Sequence, residues 1–352
     1  MTFLNQKYQS LTPYTPGEQV DETEFIKLNT NESPYPPAPK VQKAVAEAAQ
    51  KLNRYPDIAW SSVAKPFAAY LGVKEDQLFL GNGSDEVLAY LFQGFTEQGI
   101  AFPDVTYGFY QVYSELYDVD TTIVPLKADF SIELKDYDEL IGTVIFANPN
   151  APTGVYLSQQ AICDFLERHP NRLVVVDEAY IDFGCTSMIS KITQYENLFV
   201  VGTFSKSRQL AGARLGFGVG NKKVIADLNR LRFSLNPYNI NALTQAAGSA
   251  VLQEQAYVNQ TIQKTIDVRE WSKQQLAALG FEQTDSQGNF LFVKHSQISA
   301  EALFQALRAK KILVRWFNQP RAKEYLRITV GTQEQMRALI KAVKKILTEV
   351  TS

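Results

Sequence analysis

The chain has 352 residues, a formal net charge of −2 and 45% hydrophobic residues. This length allows two domains with ample cores, and the small net charge gives no electrostatic footprint for binding nucleic acid or an anionic membrane. The two cysteines and two histidines exclude a disulfide framework and predict no metal site. Without a signal-peptide pattern or a membrane-spanning apolar run, we expect a soluble, cytoplasmic protein.

The first 245 residues predict an arm followed by a large domain. Residues 1–35 are rich in Pro, Thr and Asn and indicate an irregular N-terminal arm that joins the small domain. Two helices are expected, after Pro39 and over 60–71. From residue 78, helices alternate with seven apolar strands, which are predicted at 78–80, 100–102, 122–125, 143–147, 173–176, 198–201 and 215–219. This alternation predicts an α/β fold with a mainly parallel seven-stranded sheet flanked by helices over 36–245.

The last third of the chain shows a different pattern. A long helical region over 222–279 is interrupted near Asn236-Pro237-Tyr238. Two strands, at 290–293 and 312–315, enclose a helix at 300–309, and a third strand at 325–330 precedes a helix at 333–347. We therefore predict a smaller α+β domain over 246–352, with the boundary inside the long helical region.

Three loops follow predicted strands of the large domain. In Gly81–Glu86, glycines permit a tight turn, and the amides of Gly83, Ser84 and Asp85 could bind a phosphate. Taken alone, this loop is better explained by a simple helix cap at Ser84 or Asp85, and the two interpretations are compatible. Tyr107 is placed to stack on a flat ring or simply to pack. Asn150 lies in a rigid Pro- and Gly-containing turn that could present an amide donor or merely connect two elements.

The strand over 173–176 runs directly into Asp177, with Tyr180 three residues later. An aspartate at the carboxyl end of a parallel strand can pair with a protonated ring nitrogen, and Tyr180 can reach a phenolic oxygen. Four apolar residues before Asp-Glu also resemble the Mg-binding strand of an ATPase. The chain has no G-x-x-x-x-G-K-[ST] loop, so the ATPase interpretation fails.

Lys206 follows the strand over 198–201, where it could serve as a Schiff-base amine on a carbonyl cofactor. Thr203, Ser205 and Arg214 surround it in sequence and could hold the phosphate of that cofactor. Together with Asp177, this pattern indicates pyridoxal phosphate. A late Arg327 interrupts an apolar strand, where it could pair with a carboxylate, bind an anionic ligand or simply be the solvent-exposed position of an alternating strand. Arg315 is a second candidate for binding an anion.

These motifs resemble, over nearly the whole chain, the fold type I pyridoxal-phosphate aminotransferases, and within them the histidinol-phosphate aminotransferase subfamily. The resemblance rests on Thr12-Pro13-Tyr14, Arg54-Tyr55-Pro56, the Asp177–Tyr180 and Lys206–Arg214 spacings, and Leu326–Gly331. It implies amino transfer from L-histidinol phosphate to 2-oxoglutarate in histidine biosynthesis.

The resemblance also implies residue roles. Lys206 would carry the cofactor and shuttle a proton, Asp177 would pair with the ring nitrogen, Tyr180 with the ring oxygen, and Tyr107 would stack on the ring. The backbone around Gly83, Ser84 and Asp85, with Thr203, Ser205 and Arg214, would hold the phosphate. Tyr55 would reach that phosphate from a second subunit of a homodimer with shared active sites. Substrate contacts would come from Tyr14, Asn31, Arg315 and Arg327.

One departure from the family pattern falls in the turn at 148–154. The family usually has Asn before Pro-Thr-Gly, whereas this chain has Ala151 there, preceded by Asn150. Either Asn150 donates to the ring oxygen or Tyr180 binds it alone. Several other functions stay open: an aromatic amino-acid aminotransferase, a threonine-phosphate decarboxylase and a non-catalytic pyridoxal-phosphate-binding regulator. A dinucleotide-binding dehydrogenase is disfavoured because Gly216–Gly220 has the wrong glycine spacing.

Overall fold

The computed structural model describes residues 3–20 and 24–351. The strands in these residues are β1 (Ile26–Lys27), β2 (Leu78–Asn82), β3 (Ile100–Pro103), β4 (Thr121–Val124), β5 (Thr143–Ala147), β6 (Val174–Asp177), β7 (Leu198–Thr203), β8 (Leu215–Gly220), β9 (Phe281–Gln283), β10 (Phe290–His295), β11 (Ile312–Leu313), β12 (Arg315–Trp316) and β13 (Leu326–Thr329). The α-helices are α1 (Pro39–Ala49), α2 (Ser61–Leu71), α3 (Gly83–Gly94), α4 (Phe109–Tyr117), α5 (Gln159–Arg168), α6 (Lys222–Leu235), α7 (Ala242–Val251), α8 (Gln255–Ala277), α9 (Ala300–Ala309) and α10 (Gln333–Thr351).

The large sheet has seven strands within the described residues, in the order β2-β8-β7-β6-β5-β3-β4. Strands β3 to β7 pair in parallel, and β8 is antiparallel to both β2 and β7. Every residue of β5, β6, β7 and β8 is buried. Continuous apolar strands of this kind need cover on both faces of the sheet, which explains the intervening helices. The predicted α/β fold with a mainly parallel seven-stranded sheet is confirmed.

The C-terminal part contains a four-stranded antiparallel sheet in the order β12-β13-β10-β9. The strand predicted at 312–315 divides into β11 and β12, because β11 turns away to pair in parallel with β1 from the N-terminal arm. The short strands β1 and β9 were missed, since two or three residues are too few to show a periodic pattern. Through β1, the arm thus pairs with β11 of the C-terminal part in a separate two-stranded sheet.

The two largest hydrophobic clusters of the described residues mark the units of the fold. Helix α7, where the boundary near 245 was predicted, contributes Ala247 and Val251 to the core of the large unit, as does Val258 in α8. Further along α8, Val268 and Leu276 belong to the core of the small unit. We therefore propose that the units divide inside α8. Among the described helices, none combines the length and apolar character that crossing a membrane requires.

Candidate active site

An inner cavity of about 110 Å³ lies at the carboxyl ends of the parallel strands. In open α/β sheets this edge is where ligands bind. Nine of the residues predicted to contact the cofactor line the cavity: Ser84, Asp85, Tyr107, Asp177, Tyr180, Thr203, Ser205, Lys206 and Arg214. Ala147, Ala151 and Ala179 complete the lining. Folding therefore brings together side chains that are up to 130 residues apart in sequence (84 to 214).

A larger cavity of about 630 Å³ adjoins the inner one. The two share Tyr107, Ala151, Tyr180 and Lys206 in their linings. Tyr14, Arg315 and Arg327, all predicted to contact substrate, line the larger cavity. A molecule in this outer space would therefore reach the Lys206 amine at the junction of the two cavities.

Lys206 lies three residues beyond the end of β7 and is partly buried. Its Nζ is 3.5 Å from the carbonyl oxygen of Thr30 and 5.7 Å from the ring centroid of Tyr180. No carboxylate forms an ion pair with this amine within the described residues. The amine is thus held loosely at the cavity junction, where it can act as a nucleophile or a base.

Asp177 ends β6 and is only 4% exposed. Its carboxylate accepts hydrogen bonds from the Tyr110 hydroxyl at 2.9 Å and from the Ala179 backbone N–H at 3.2 Å. Burial raises the pKa of Asp177 to about 6, against the lowering effect of these hydrogen bonds. A buried carboxylate with one good side-chain donor can stabilise a cationic ring nitrogen. The supporting role of Tyr110 was missed, because no local signal indicates which face of α4 meets β6.

At the other end of the inner cavity, Arg214 and Gly83 meet at the start of α3. Arg214 donates to Asp85 at 2.7 Å, and a side chain on Gly83, whose φ is +76°, would collide with the Arg214 guanidinium. Asn82, at the N-cap position, makes no side-chain capping hydrogen bond. A helix N-terminus without a side-chain cap and with an arginine beside it suits a phosphate.

Thr203 and Ser205 form the wall of the cavity before Lys206. Their hydroxyl oxygens are 2.9 Å apart, and the Ser205 backbone N–H donates to Thr203 Oγ1 at 3.0 Å. Both residues are buried. Their hydroxyl groups therefore keep a fixed arrangement at the cavity surface.

The other predicted cofactor contacts lie outside this lining. Asn150 is fully buried, and its amide donates to the Val105 carbonyl at 2.8 Å and to Thr153 Oγ1 at 3.0 Å. The structure thus places Asn150 in the support of its turn and Ala151 in the cavity lining. Tyr55 is 81% exposed and stacks on Tyr238, with ring centroids 4.5 Å apart.

Comparison with known proteins identifies the family of this chain. The family model described as "Aminotransferase class I and II" matches residues 23–343. The chain belongs to the class I and II aminotransferases. It is 44% identical to a histidinol-phosphate aminotransferase of Brachyspira hyodysenteriae, covering 98% of this chain and 99% of that relative. It is 45% identical to histidinol-phosphate aminotransferase 1 of Hydrogenovibrio crunogenus, with 98% of each chain covered.

A solved structure shares the fold. The histidinol-phosphate aminotransferase of Sinorhizobium meliloti, solved in complex with pyridoxal-5'-phosphate, has a TM-score of 0.90 with 22% identity and 99% of both chains covered. At that identity the likeness concerns the fold. The chain described here therefore has the fold of a fold type I enzyme.

On the substrate side, the two arginines of this aminotransferase differ in their bonding. Arg315 donates to the carbonyls of Thr15 at 2.7 Å and Pro16 at 3.0 Å, so it holds the arm. Arg327 donates to the Asn29 carbonyl at 2.8 Å, and its buried Nε has no hydrogen-bond partner in the described residues. An orphaned guanidinium N–H beside a cavity indicates that Arg327 is the better candidate for an anion.

Tyr14 and Asn31 occupy different surroundings. Tyr14 lines the outer cavity, stacks on Phe109 with ring centroids 4.3 Å apart and lies 6.4 Å from the ring centroid of Tyr107. Asn31 is buried outside both cavity linings, where its side chain contacts Tyr180. Tyr14 thus faces a substrate more directly than Asn31 does.

Proposed function

We propose that this aminotransferase uses pyridoxal 5'-phosphate to transfer the amino group of L-histidinol phosphate to 2-oxoglutarate, which gives imidazole acetol phosphate and L-glutamate. The observation that carries the proposal is the convergence of Lys206, Asp177 and Arg214 on one cavity. The identity of 44–45% over nearly the full length to relatives named for this reaction supports the substrate.

The donor set of the inner cavity fits this cofactor. Arg214, Thr203 and Ser205, with the backbone at Gly83 to Asp85, would hold the phosphate, and the collision that a Cβ at Gly83 would cause explains why glycine stands there. Asp177 would pair with the ring nitrogen, Tyr180 would bind the ring oxygen, and Tyr107 would lie against the ring. The bound cofactor supplies an electron sink for the carbanion at the substrate α-carbon.

The chain itself contributes the base and the anion contacts. Lys206 would hold the cofactor, be displaced by the substrate amine and then remove and return the α-proton, a role worth roughly 10²–10⁴-fold in rate. Arg327 would bind the phosphate of one substrate and a carboxylate of the other, since one guanidinium can donate hydrogen bonds to either anion. Tyr14 and Arg315 would close the outer cavity over the substrate through the arm.

We propose a homodimer with shared active sites, supported by an apolar patch formed by Tyr55, Ile58, Phe233, Leu235 and Tyr238. Each of these side chains is at least 39% exposed. Arg232 joins the two segments of the patch, because its Nη1 donates to the carbonyls of Ile58 at 3.0 Å and Pro237 at 2.8 Å. An apolar patch of this kind is typical of a subunit interface.

The patch adjoins the phosphate end of the site. Asn239, directly after Tyr238, accepts a hydrogen bond at its carbonyl from the Asn82 side chain at 3.2 Å. A second copy docked on the patch would therefore bring its own Tyr55 close to the loop at Gly83. This position agrees with a phosphate contact made by Tyr55 across the interface.

The visible spectrum of the purified holoenzyme tests the proposed function. Titration with L-histidinol phosphate without a keto acid should bleach the visible band of the lysine-bound cofactor, and 2-oxoglutarate should restore it. Bleaching by L-phenylalanine alone would favour an aromatic aminotransferase. Decarboxylation of threonine phosphate would favour the decarboxylase. The Lys206→Ala variant is the control and should bind cofactor without any turnover.

A further inference from the structure

Asn31 is hydrogen-bonded to Tyr180, the proposed contact of the cofactor ring oxygen, and its side chain lies outside both cavity linings. We propose that Asn31 is a positioning residue that directs the Tyr180 hydroxyl proton into the inner cavity, and that Thr329 orients the Asn31 amide for this task. The inference rests on the proposed function, because the acceptor of that proton is the ring oxygen of pyridoxal phosphate.

The hydrogen bonds around Asn31 form a short relay. Asn31 Nδ2 is 3.0 Å from the Tyr180 hydroxyl oxygen, and Asn31 Oδ1 is 2.9 Å from Thr329 Oγ1. Thr329 Oγ1 also accepts the Asn31 backbone N–H at 2.9 Å. The relay therefore runs from β13 through the arm segment to the cavity wall.

The relay fixes which way the Asn31 amide faces. When the Thr329 hydroxyl accepts from the backbone N–H of Asn31, its own proton is free for Oδ1, and Nδ2 then faces Tyr180. In the opposite orientation, Thr329 would have to accept two hydrogen bonds from the same residue. The bonding thus favours an amide that donates to Tyr180.

Because the Asn31 amide donates to the Tyr180 hydroxyl oxygen, the Tyr180 hydroxyl must donate its own proton to a different acceptor. Tyr180 lines the inner cavity, so the free direction for its proton is toward the ligand. Ala151 lines the same cavity and has no side-chain donor that could share this role. The hydroxyl of Tyr180 is therefore the donor on which this part of the site depends.

The backbone at Asn31 is built for this placement. Its φ is +55°, in the left-handed region that asparagine tolerates better than most residues. The side chain of Asn289 donates to the Asn31 carbonyl at 3.0 Å and braces the segment. Strained conformations braced in this way concentrate at functional sites.

A pH titration of the visible band of the holoenzyme tests the assignment. In the holoenzyme, a hydrogen bond donated by Tyr180 would stabilise negative charge on the ring oxygen of pyridoxal phosphate. Without that hydrogen bond, the ring oxygen would attract the proton on the Lys206 nitrogen more strongly, so this nitrogen would lose its proton at a higher pH. Asn31→Gly accepts the positive φ and removes the donor. We expect it to raise the midpoint by about 0.5 to 1 pH unit. Tyr180→Phe should raise it at least as far.

The pair of variants makes the test specific. In the Tyr180→Phe background, Asn31→Gly should add no further rise, because the two residues act through one hydroxyl. Thr329→Val should give a smaller rise of the midpoint, because it releases the Asn31 amide from its orienting hydrogen bond. This variant replaces Asn31→Gly in the test if Asn31→Gly does not fold. Asn29→Ala is the matched control: this buried asparagine of the same segment donates to the Glu18 carbonyl, so the midpoint should not move.

The contrary outcomes are distinct. A midpoint that falls would mean that the amide accepts from Tyr180, and an equal rise in both backgrounds would mean that Asn31 acts without Tyr180. Either result, or an unmoved midpoint, overturns the assignment and leaves the proposed function standing. A wild-type protein that shows no visible band with pyridoxal phosphate overturns the proposed function and this inference with it.

Discussion

Arg214 and Asp85 form an ion pair of 2.7 Å at the start of α3, although 129 residues separate them in the sequence. The other carboxylate oxygen of Asp85 accepts the hydroxyl of Tyr107 at 2.8 Å. One carboxylate thus holds both the proposed phosphate-binding cation and the proposed stacking ring. Asp85 therefore orders two proposed cofactor contacts before any ligand binds.

Loss of this carboxylate should weaken cofactor binding. In Asp85→Ala, Arg214 and Tyr107 lose their shared partner, and we expect the Kd for pyridoxal phosphate to rise about tenfold. Asp85→Asn keeps one acceptor and should show a smaller rise. Fluorescence quenching on addition of pyridoxal phosphate measures the Kd of both variants. Asp118→Asn, an exposed acid in a left-handed position that asparagine tolerates, is the control and should bind normally.

The Tyr110–Asp177 hydrogen bond should influence the pH at which kcat/KM falls on the acid side of the profile. Burial raises the pKa of Asp177 to about 6, and the Tyr110 hydroxyl opposes that rise. Tyr110→Phe should raise this pKa further, so kcat/KM should begin to fall at a higher pH, by about 0.5 to 1 unit. A pH profile of kcat/KM between 5 and 8 tests this. An unchanged profile, equal to that of the remote control Tyr195→Phe, would contradict it.

Arg327 and Arg315 should differ in their effects. Arg327→Met removes a charged donor to the substrate anion, and KM should rise roughly 10- to 100-fold for both substrates. Arg315→Met should instead release the arm at Thr15 and Pro16, which limited proteolysis detects as faster cleavage within residues 3–20. Equal cleavage in Arg315→Met and in the surface variant Arg230→Met would count against this division of roles.

Glu178 is a buried acid that the proposed chemistry does not use. Burial raises its pKa to about 8 from 4.5, so the folded state retains a proton that the unfolded state loses. Its contribution to stability is full below pH 4.5 and is lost as the pH rises through 8. Glu178→Gln mimics the protonated form and should gain about 1–3 kcal/mol over the wild type at pH 8.5 and little at pH 4.5.

Urea unfolding of the cofactor-free protein at both pH values measures the difference. The exposed Glu97→Gln serves as the control and should track the wild type at each pH. If the advantage of Glu178→Gln were the same at both pH values, the titration of Glu178 would not be its source.

The apolar patch should hold the dimer together. Phe233→Glu places a charge on the patch, and we expect the molecular mass by light scattering to fall from that of a dimer toward that of a monomer. Ile141→Glu alters a side chain that is 76% exposed outside the patch and should leave the mass unchanged. A wild-type protein that is monomeric at micromolar concentration would reject the dimer itself.

The fold class and most of the cavity lining could be predicted from the amino-acid sequence alone. Apolar strands that run into Asp177 or toward Lys206 place those residues at the carboxyl edge of the sheet, because parallel strands end at one edge. Eight of the nine predicted cofactor contacts that line the inner cavity lie at or after the ends of such strands, whereas Arg214 directly precedes the antiparallel strand β8. These signals are local, since each strand and the polar residue after it are adjacent in the chain.

The distant side chains that support those residues became apparent in the folded chain and not before. The partner of Asp177 comes from α4, and the residue that orients Asn31 is 298 positions away on β13. Asn150 and Ala151 are neighbours, yet one braces the turn and the other lines the cavity. Such outcomes depend on the rotation of each helix and turn against the sheet, which close packing of the assembled cores sets and no short stretch of sequence encodes.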